Sequence, residues 1–156
     1  MNWIFPPLFI IVTTMCTPYD DVQTAVLKFL DTAKQQVLVA GYSITNPVIV
    51  EKLIELKTKG LDVEVITDTQ QAAGASERQA ISTMQAYGVQ VFIGKSKYHQ
   101  LMHCKFIVID DTASEDGSYN YTKSANYQDN VAHFNDDPEL AKQLHSFWNQ
   151  IKADLQ

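Results

Sequence analysis

Residues 103–130 read HCKFIVIDDTASEDGSYNYTKSANYQDN. The segment KFIVID at 105–110 is a short, very apolar run rich in β-branched residues, and it predicts a strand near the centre of a sheet. Alternate residues of a strand point to the same face. His103 and Lys105 are two apart, so imidazole and ammonium project side by side. Ser118 and Asn120 are also two apart, directly after Gly117. A candidate nitrogen nucleophile, a cation, a hydroxyl and a carboxamide together suit an anionic group with several oxygens, such as a phosphodiester. Taken singly, each piece has an ordinary reading. His-x-Lys is a common solvated strand end, and Gly-Ser-x-Asn and Asp110-Asp111 are common turn material.

Outward from this stretch, strand-like and helix-like segments alternate. Residues 20–33 read as a helix with Val22, Val26, Phe29 and Leu30 on one face. Residues 36–42 (QVLVAGY) read as a buried strand. Asn46 caps a second helix, Pro47 suits its first position, and Gly60 ends it in the left-handed conformation. Leu61, Val63 and Val65 alternate with Asp62 and Glu64 as a strand. A third helix over 76–87, closed by Gly88, leads to a strand over 89–93 and a polar loop over 94–101. Asp137 caps the last helix, Pro138 begins it, and Leu140, Leu144, Phe147, Trp148, Ile151 and Leu155 recur at helical spacing. The pattern predicts one α/β domain over 1–156, a mixed, mainly parallel sheet with helices on both faces. Fold class alone carries no function.

The joint spacing is far more specific than its parts. His103, Lys105, Asp110, Gly117, Ser118 and Asn120 satisfy H-x-K-x4-D-x6-G-S-x-N at all six positions. At about one residue in twenty per type, a chance match in a chain this short is on the order of one in a million. This spacing is the signature of the phospholipase D superfamily, and the chain resembles its small, single-motif bacterial endonucleases. Residues 30–45 (LDTAKQQVLVAGYSIT) resemble the family's helix–strand segment ending in Tyr-Ser-x-Thr, and Thr122, Ser124-Ala125 and Asp129-Asn130 match the tail of the motif. The likeness runs from about residue 20 to 148, and it implies a phospholipase D-like α/β sandwich.

The resemblance implies a role for each matched residue. His103 would attack phosphorus and form a phosphohistidine, which needs a neutral, oriented ring. The family's orienting Glu is here Asp129, one methylene shorter. Lys105 and Asn120 would bind the non-bridging oxygens and Ser118 would add a hydrogen bond. Asp110 reads as a strand-end structural acid. The chemistry calls for a second histidine as general acid and then base. His99, His133 and His145 lack the motif context, so a two-fold homodimer that brings two copies of His103 together is the expected solution. No metal and no cofactor is called for. Cys104 is expected to face away from His103 and Lys105 and to pack in the core.

Net charge is −6, which disfavours a dedicated polyanion-binding protein. Locally the balance reverses. Residues 94–109 hold Lys95, Lys97, Lys105 and two histidines but no acid, and Lys123 follows. These lysines point to a nucleic-acid substrate held mainly through its phosphates. A phospholipid is the alternative substrate, and a non-catalytic nucleic-acid-binding module a distant third. Between Asp110 and Gly117 the family's apolar strand is replaced by DTASED, whose acids are expected to form a solvated hairpin. Residues 3–15 are mostly apolar but lack a basic n-region and are interrupted by Pro6-Pro7. They are too short to span a bilayer, and read as a strand over 8–14 after a short leader at 1–7, with a trimmed export signal as the alternative. The compartment stays open, as does pairing of Cys16 with Cys104.

Overall fold

A computed structural model describes residues 11–155. Seven strands form one sheet, in chain order β1 (Val12–Thr17), β2 (Gln36–Gly41), β3 (Asp62–Asp68), β4 (Gln90–Gly94), β5 (Lys105–Ile109), β6 (Ala113–Gly117) and β7 (Asn130–Asn135). The helices are α1 (Val22–Leu30), α2 (Pro47–Thr58), α3 (Thr69–Ala72), α4 (Ala75–Ala86) and α5 (Pro138–Asp154), with a 3-10 turn at Ser124–Tyr127. Spatial order is β1-β7-β6-β5-β2-β3-β4, so β5 is the central strand, as its apolar run predicts.

Capping follows the local chemistry. Asn46 accepts from the Val48 amide and Asp137 from those of Glu139 and Leu140. Gly60 adopts φ +95°, the left-handed residue that ends α2. The α/β class and the helices on both faces hold. Val26, Leu30, Leu53 and Met84 of α1, α2 and α4 pack on one face of the sheet with Ile107 and Ile109. Ala141 and Trp148 of α5 pack on the other with Phe106 and Val108.

The expectation of a mainly parallel sheet is corrected. Only β2–β3 and β3–β4 are parallel, whereas β1–β7, β7–β6, β6–β5 and β5–β2 are antiparallel. Strand and helix alternate only over the first part of the chain, and there the crossovers do give parallel pairs. After residue 104 the chain turns directly from β5 into β6. Asp110 and Asp111 take φ 52° and 55°, the left-handed pair of a tight hairpin turn that forces antiparallel pairing. Of the strand expected over 8–14, residues 8–10 lie outside the described residues; the described strand continues past residue 14 to Thr17, paired with β7, Val12 opposite Asn135 and Thr17 opposite Asn130. The leader expected at 1–7 lies outside the described residues.

Candidate active site

The backbone brings the two halves of the motif to one end of β2. Gly41 pairs with Lys105, and the Tyr42 amide donates to the Cys104 carbonyl at 2.9 Å. The Tyr121 amide donates to Ser43 O, and the amides of Thr45 and Asn46 both donate to Tyr121 O, at 3.2, 3.0 and 2.9 Å. Residues 103–105 and 119–121 are thus stitched to successive residues of one strand end. Tyr119 and Tyr121 are fully buried, each held by a hydroxyl contact, to Asn126 at 2.5 Å and Glu115 at 2.7 Å. Their neighbours Ser118 and Asn120 are exposed and half-buried, respectively.

His103 is exposed and Lys105 is not. The lysine is 8% exposed, its Nζ donates to the His103 carbonyl at 2.7 Å, and it lies 4.9 Å from the centre of the Tyr42 ring. Among the described residues no carboxylate lies within ion-pair distance of it. Burial holds its pKa below the ordinary lysine value. A buried cation without a counter-charge is unfavourable until an anion supplies one. The Asn120 side-chain oxygen is also buried without a hydrogen-bond partner. Lys105 is thus the group that an anion would satisfy, whereas the Asn120 oxygen is an acceptor and leaves the amide Nδ2 to donate.

Other candidates stand less simply. Gly117 is required sterically. Its φ is +155°, and a Cβ there would meet the Val131 carbonyl oxygen at 2.2 Å. The Ser118 hydroxyl accepts from the Val131 amide at 3.0 Å and donates to Asn130 Oδ1 at 3.2 Å. Its only donor is engaged by β7, so a bond to phosphate requires release of Asn130. Asp129 is exposed and makes no hydrogen bond to His103 within the chain. Lys97 and His103 line one groove of about 170 Å³ with Leu101 and Phe147. Lys95 is half-buried, and Lys123 is exposed at the start of the 3-10 turn. Cys104 packs on the α5 side, as expected, but it lines the same groove as His103 instead of facing away from it, and burial raises its thiol pKa. Both cysteines are free.

Asp110 directly follows β5. It accepts the backbone amides of Lys34, Gln35 and Gln36 at 2.8, 2.9 and 2.8 Å. His145 is likewise tied to Asp111, Nδ1 to Oδ1 2.6 Å. The solvated hairpin expected for the four acids is corrected. Asp110 and Asp111 sit beyond the far end of β5, about 16 Å from its start at strand rise. Asp116 holds Asn135 at 2.8 Å and lies 3.9 Å from His133. Glu115 is fully buried opposite Ile107.

Burial pushes the Glu115 pKa up to about 8, partly offset by the Tyr121 hydroxyl. The carboxyl is therefore largely neutral at pH 7. A raised folded pKa means stability that is full below the unfolded value of 4.5 and declines as pH climbs toward 8. Glu115→Gln should remove this decline. Denaturant titrations of both proteins should differ by about 1.4 kcal/mol more for each pH unit between 5 and 8. Parallel curves across that range would contradict it.

Sequence reading missed three supports. Glu77 is buried and accepts from Ser43 Oγ, the Ile44 amide and Thr67 Oγ1, which fixes the end of β2. Asp68 accepts the Met102 amide at 2.9 Å, one residue before His103. Tyr42 flanks both His103 and Lys105. Only the apolar context of β3 and α4 hinted at buried acids, and no local pattern marks them. Among the described residues no group of three His, Cys, Asp or Glu side chains could hold a metal ion, and no helix is long and apolar enough to cross a membrane.

An exposed imidazole and a buried ammonium thus stand side by side at the end of the central strand of an α/β sheet. Residues 26–152 match the family model described as cardiolipin synthase, PLD-like domain, and the chain belongs to the phospholipase D superfamily of phosphodiesterases. It is 30% identical over 142 residues to a mitochondrial cardiolipin hydrolase of Chlamydomonas reinhardtii, across 86% of this chain and 62% of that protein. This chain thus spans less than two thirds of that relative. A phospholipase D of Rickettsia bellii is 26% identical over 145 residues, 91% of this chain and 69% of that one. The crystal structure of Nuc, a phospholipase D family member from Salmonella typhimurium, superposes with a TM-score of 0.87 at 25% identity, covering 95% and 97% of the two chains.

Proposed function

We propose that the protein is a metal-independent phosphodiesterase that hydrolyses nucleic-acid phosphodiester bonds, through a phosphohistidine on His103 in a homodimeric site. The observation that carries this reading is the buried, unpaired Lys105 beside the exposed His103. The ammonium and the Asn120 amide meet the non-bridging oxygens as charge develops on them. His103 attacks phosphorus and the leaving oxygen takes a proton from the His103 of the second copy. That copy then deprotonates the water that releases the product. Asp129, exposed on each protomer, is the carboxylate available to orient the facing imidazole. Lys97 supports nucleic acid as the substrate because it shares a groove with the nucleophile. Of the acids at 110–116, Asp110 and Asp111 lie at the far end of β5 and Glu115 is buried, which leaves Asp116, bonded to Asn135, as the acid nearest the site.

Supercoiled plasmid incubated with the protein in excess EDTA should be nicked, with little sequence preference. Intact plasmid, single-stranded DNA and RNA, with the protein folded, would overturn the nuclease reading. A second reading, a lipid phosphodiesterase, is favoured by the names of the curated relatives and by exposed Leu101 and Phe147 beside His103. Release of headgroup from phosphatidylcholine or cardiolipin vesicles would identify it.

A further inference from the structure

We propose that Tyr42 is the positioning residue for His103, holding the imidazole from within the same protomer. The proposal rests on His103 being the nucleophile and goes beyond it. A nucleophilic ring must be held in line, and Asp129 makes no hydrogen bond to it within the protomer's described residues. The Tyr42 ring does make contact. Its centre lies 4.6 Å from that of His103 with the planes at 55°, and it faces the Lys105 ammonium at 4.9 Å. One aromatic surface thus fixes the spacing of nucleophile and cation.

Tyr42 is itself held. Its hydroxyl accepts from Gln71 Nε2 at 2.8 Å. Gln71 lies in α3, a single turn whose N-cap is Asp68, which accepts the Gln70 amide at 2.8 Å. The other oxygen of Asp68 accepts the Met102 amide at 2.9 Å. Asp68 is fully buried, so one carboxylate fixes both the backbone that leads into His103 and the turn that grips Tyr42. A ring clamped from two sides loses little freedom when substrate arrives.

The test uses the full chain carrying Tyr42→Leu, Tyr42→Phe or Gln71→Ala. Tyr42→Leu should lower kcat about 10- to 100-fold with KM little changed, because orientation acts on the chemical step. Tyr42→Phe, which keeps the ring but loses the bond from Gln71, and Gln71→Ala, which loses the same bond, should both fall between Tyr42→Leu and wild type. The His103 ring resonances in 1H–13C spectra should carry a ring-current displacement in wild type and Tyr42→Phe, absent in Tyr42→Leu. Should Tyr42→Leu not fold, a shifted His103 ring in Gln71→Ala supports the proposal and an unmoved one overturns it. Unchanged kcat with unmoved His103 resonances overturns the proposal, as does a rise in KM alone, which would make Tyr42 a substrate contact. If the wild type cleaves no substrate tried, the nuclease and lipid readings fail while the resonances still decide whether Tyr42 holds His103.

Discussion

His103→Ala should lower phosphodiester hydrolysis at least about 10,000-fold, the scale on which removing a covalent nucleophile acts. The side chain is exposed, so its removal leaves no cavity and no orphaned partner, and unfolding should be nearly unchanged. Loss of activity with retained stability separates chemistry from packing. The same substitution tests the dimer. If each site needs one His103 as nucleophile and a second as acid, a protomer carrying alanine inactivates the site it shares. Co-refolded equimolar wild type and His103→Ala should then keep about one quarter of wild-type activity per total protein, the fraction of pure wild-type dimers. Half the activity would mean that each chain works alone. Residual activity of His103→Ala above about one per cent of wild type would remove His103 from the nucleophile's role.

Lys105→Met should lower kcat about 100- to 1,000-fold, the usual effect of deleting one group that stabilises transition-state charge. Its effect on folding should have the opposite sign. The ammonium is desolvated, its pKa is depressed by burial, and among the described residues no carboxylate lies within ion-pair distance of it. Methionine matches its shape without a buried charge and leaves no acid unpaired, so the variant should be as stable as wild type or more so. Thermal unfolding beside single-turnover kinetics reads both quantities. A variant that loses stability and activity together would make Lys105 a structural cation. An active Lys105→Met would shift phosphate binding to Asn120 and the outer lysines.

The hairpin from β5 to β6 shows how near the sequence came and where it stopped. Two consecutive aspartates after an apolar run read correctly as a turn. That the turn is tight enough to reverse the strand depends on both residues taking positive φ, and on Asp110 finding the three amides at 34–36. The first is a backbone choice and the second a contact more than seventy residues away. Neither leaves a local trace, so the alternation of strands and helices overstates the parallel share of the sheet. Glu115 illustrates the same limit. Acids in a short polar segment read as solvated, but pairing with β5 puts Glu115 opposite Ile107 and turns it inward, where the Tyr121 hydroxyl meets it.

What the sequence determined by itself was the local and the periodic. The central strand, the caps at Asn46 and Asp137, the glycine at 60 and the six-position motif follow from neighbour spacing, which backbone geometry converts directly into faces and ends. Only the tertiary structure decided which groups in the site are free and which are held. Lys105 is left without a counter-charge, Ser118 is engaged by Asn130, and Asp68 and Gln71 converge on the residues around His103. These are contacts between segments far apart in the chain. Their partners are chosen by how the sheet and helices close, because a buried polar group bonds whatever the packed backbone brings within reach.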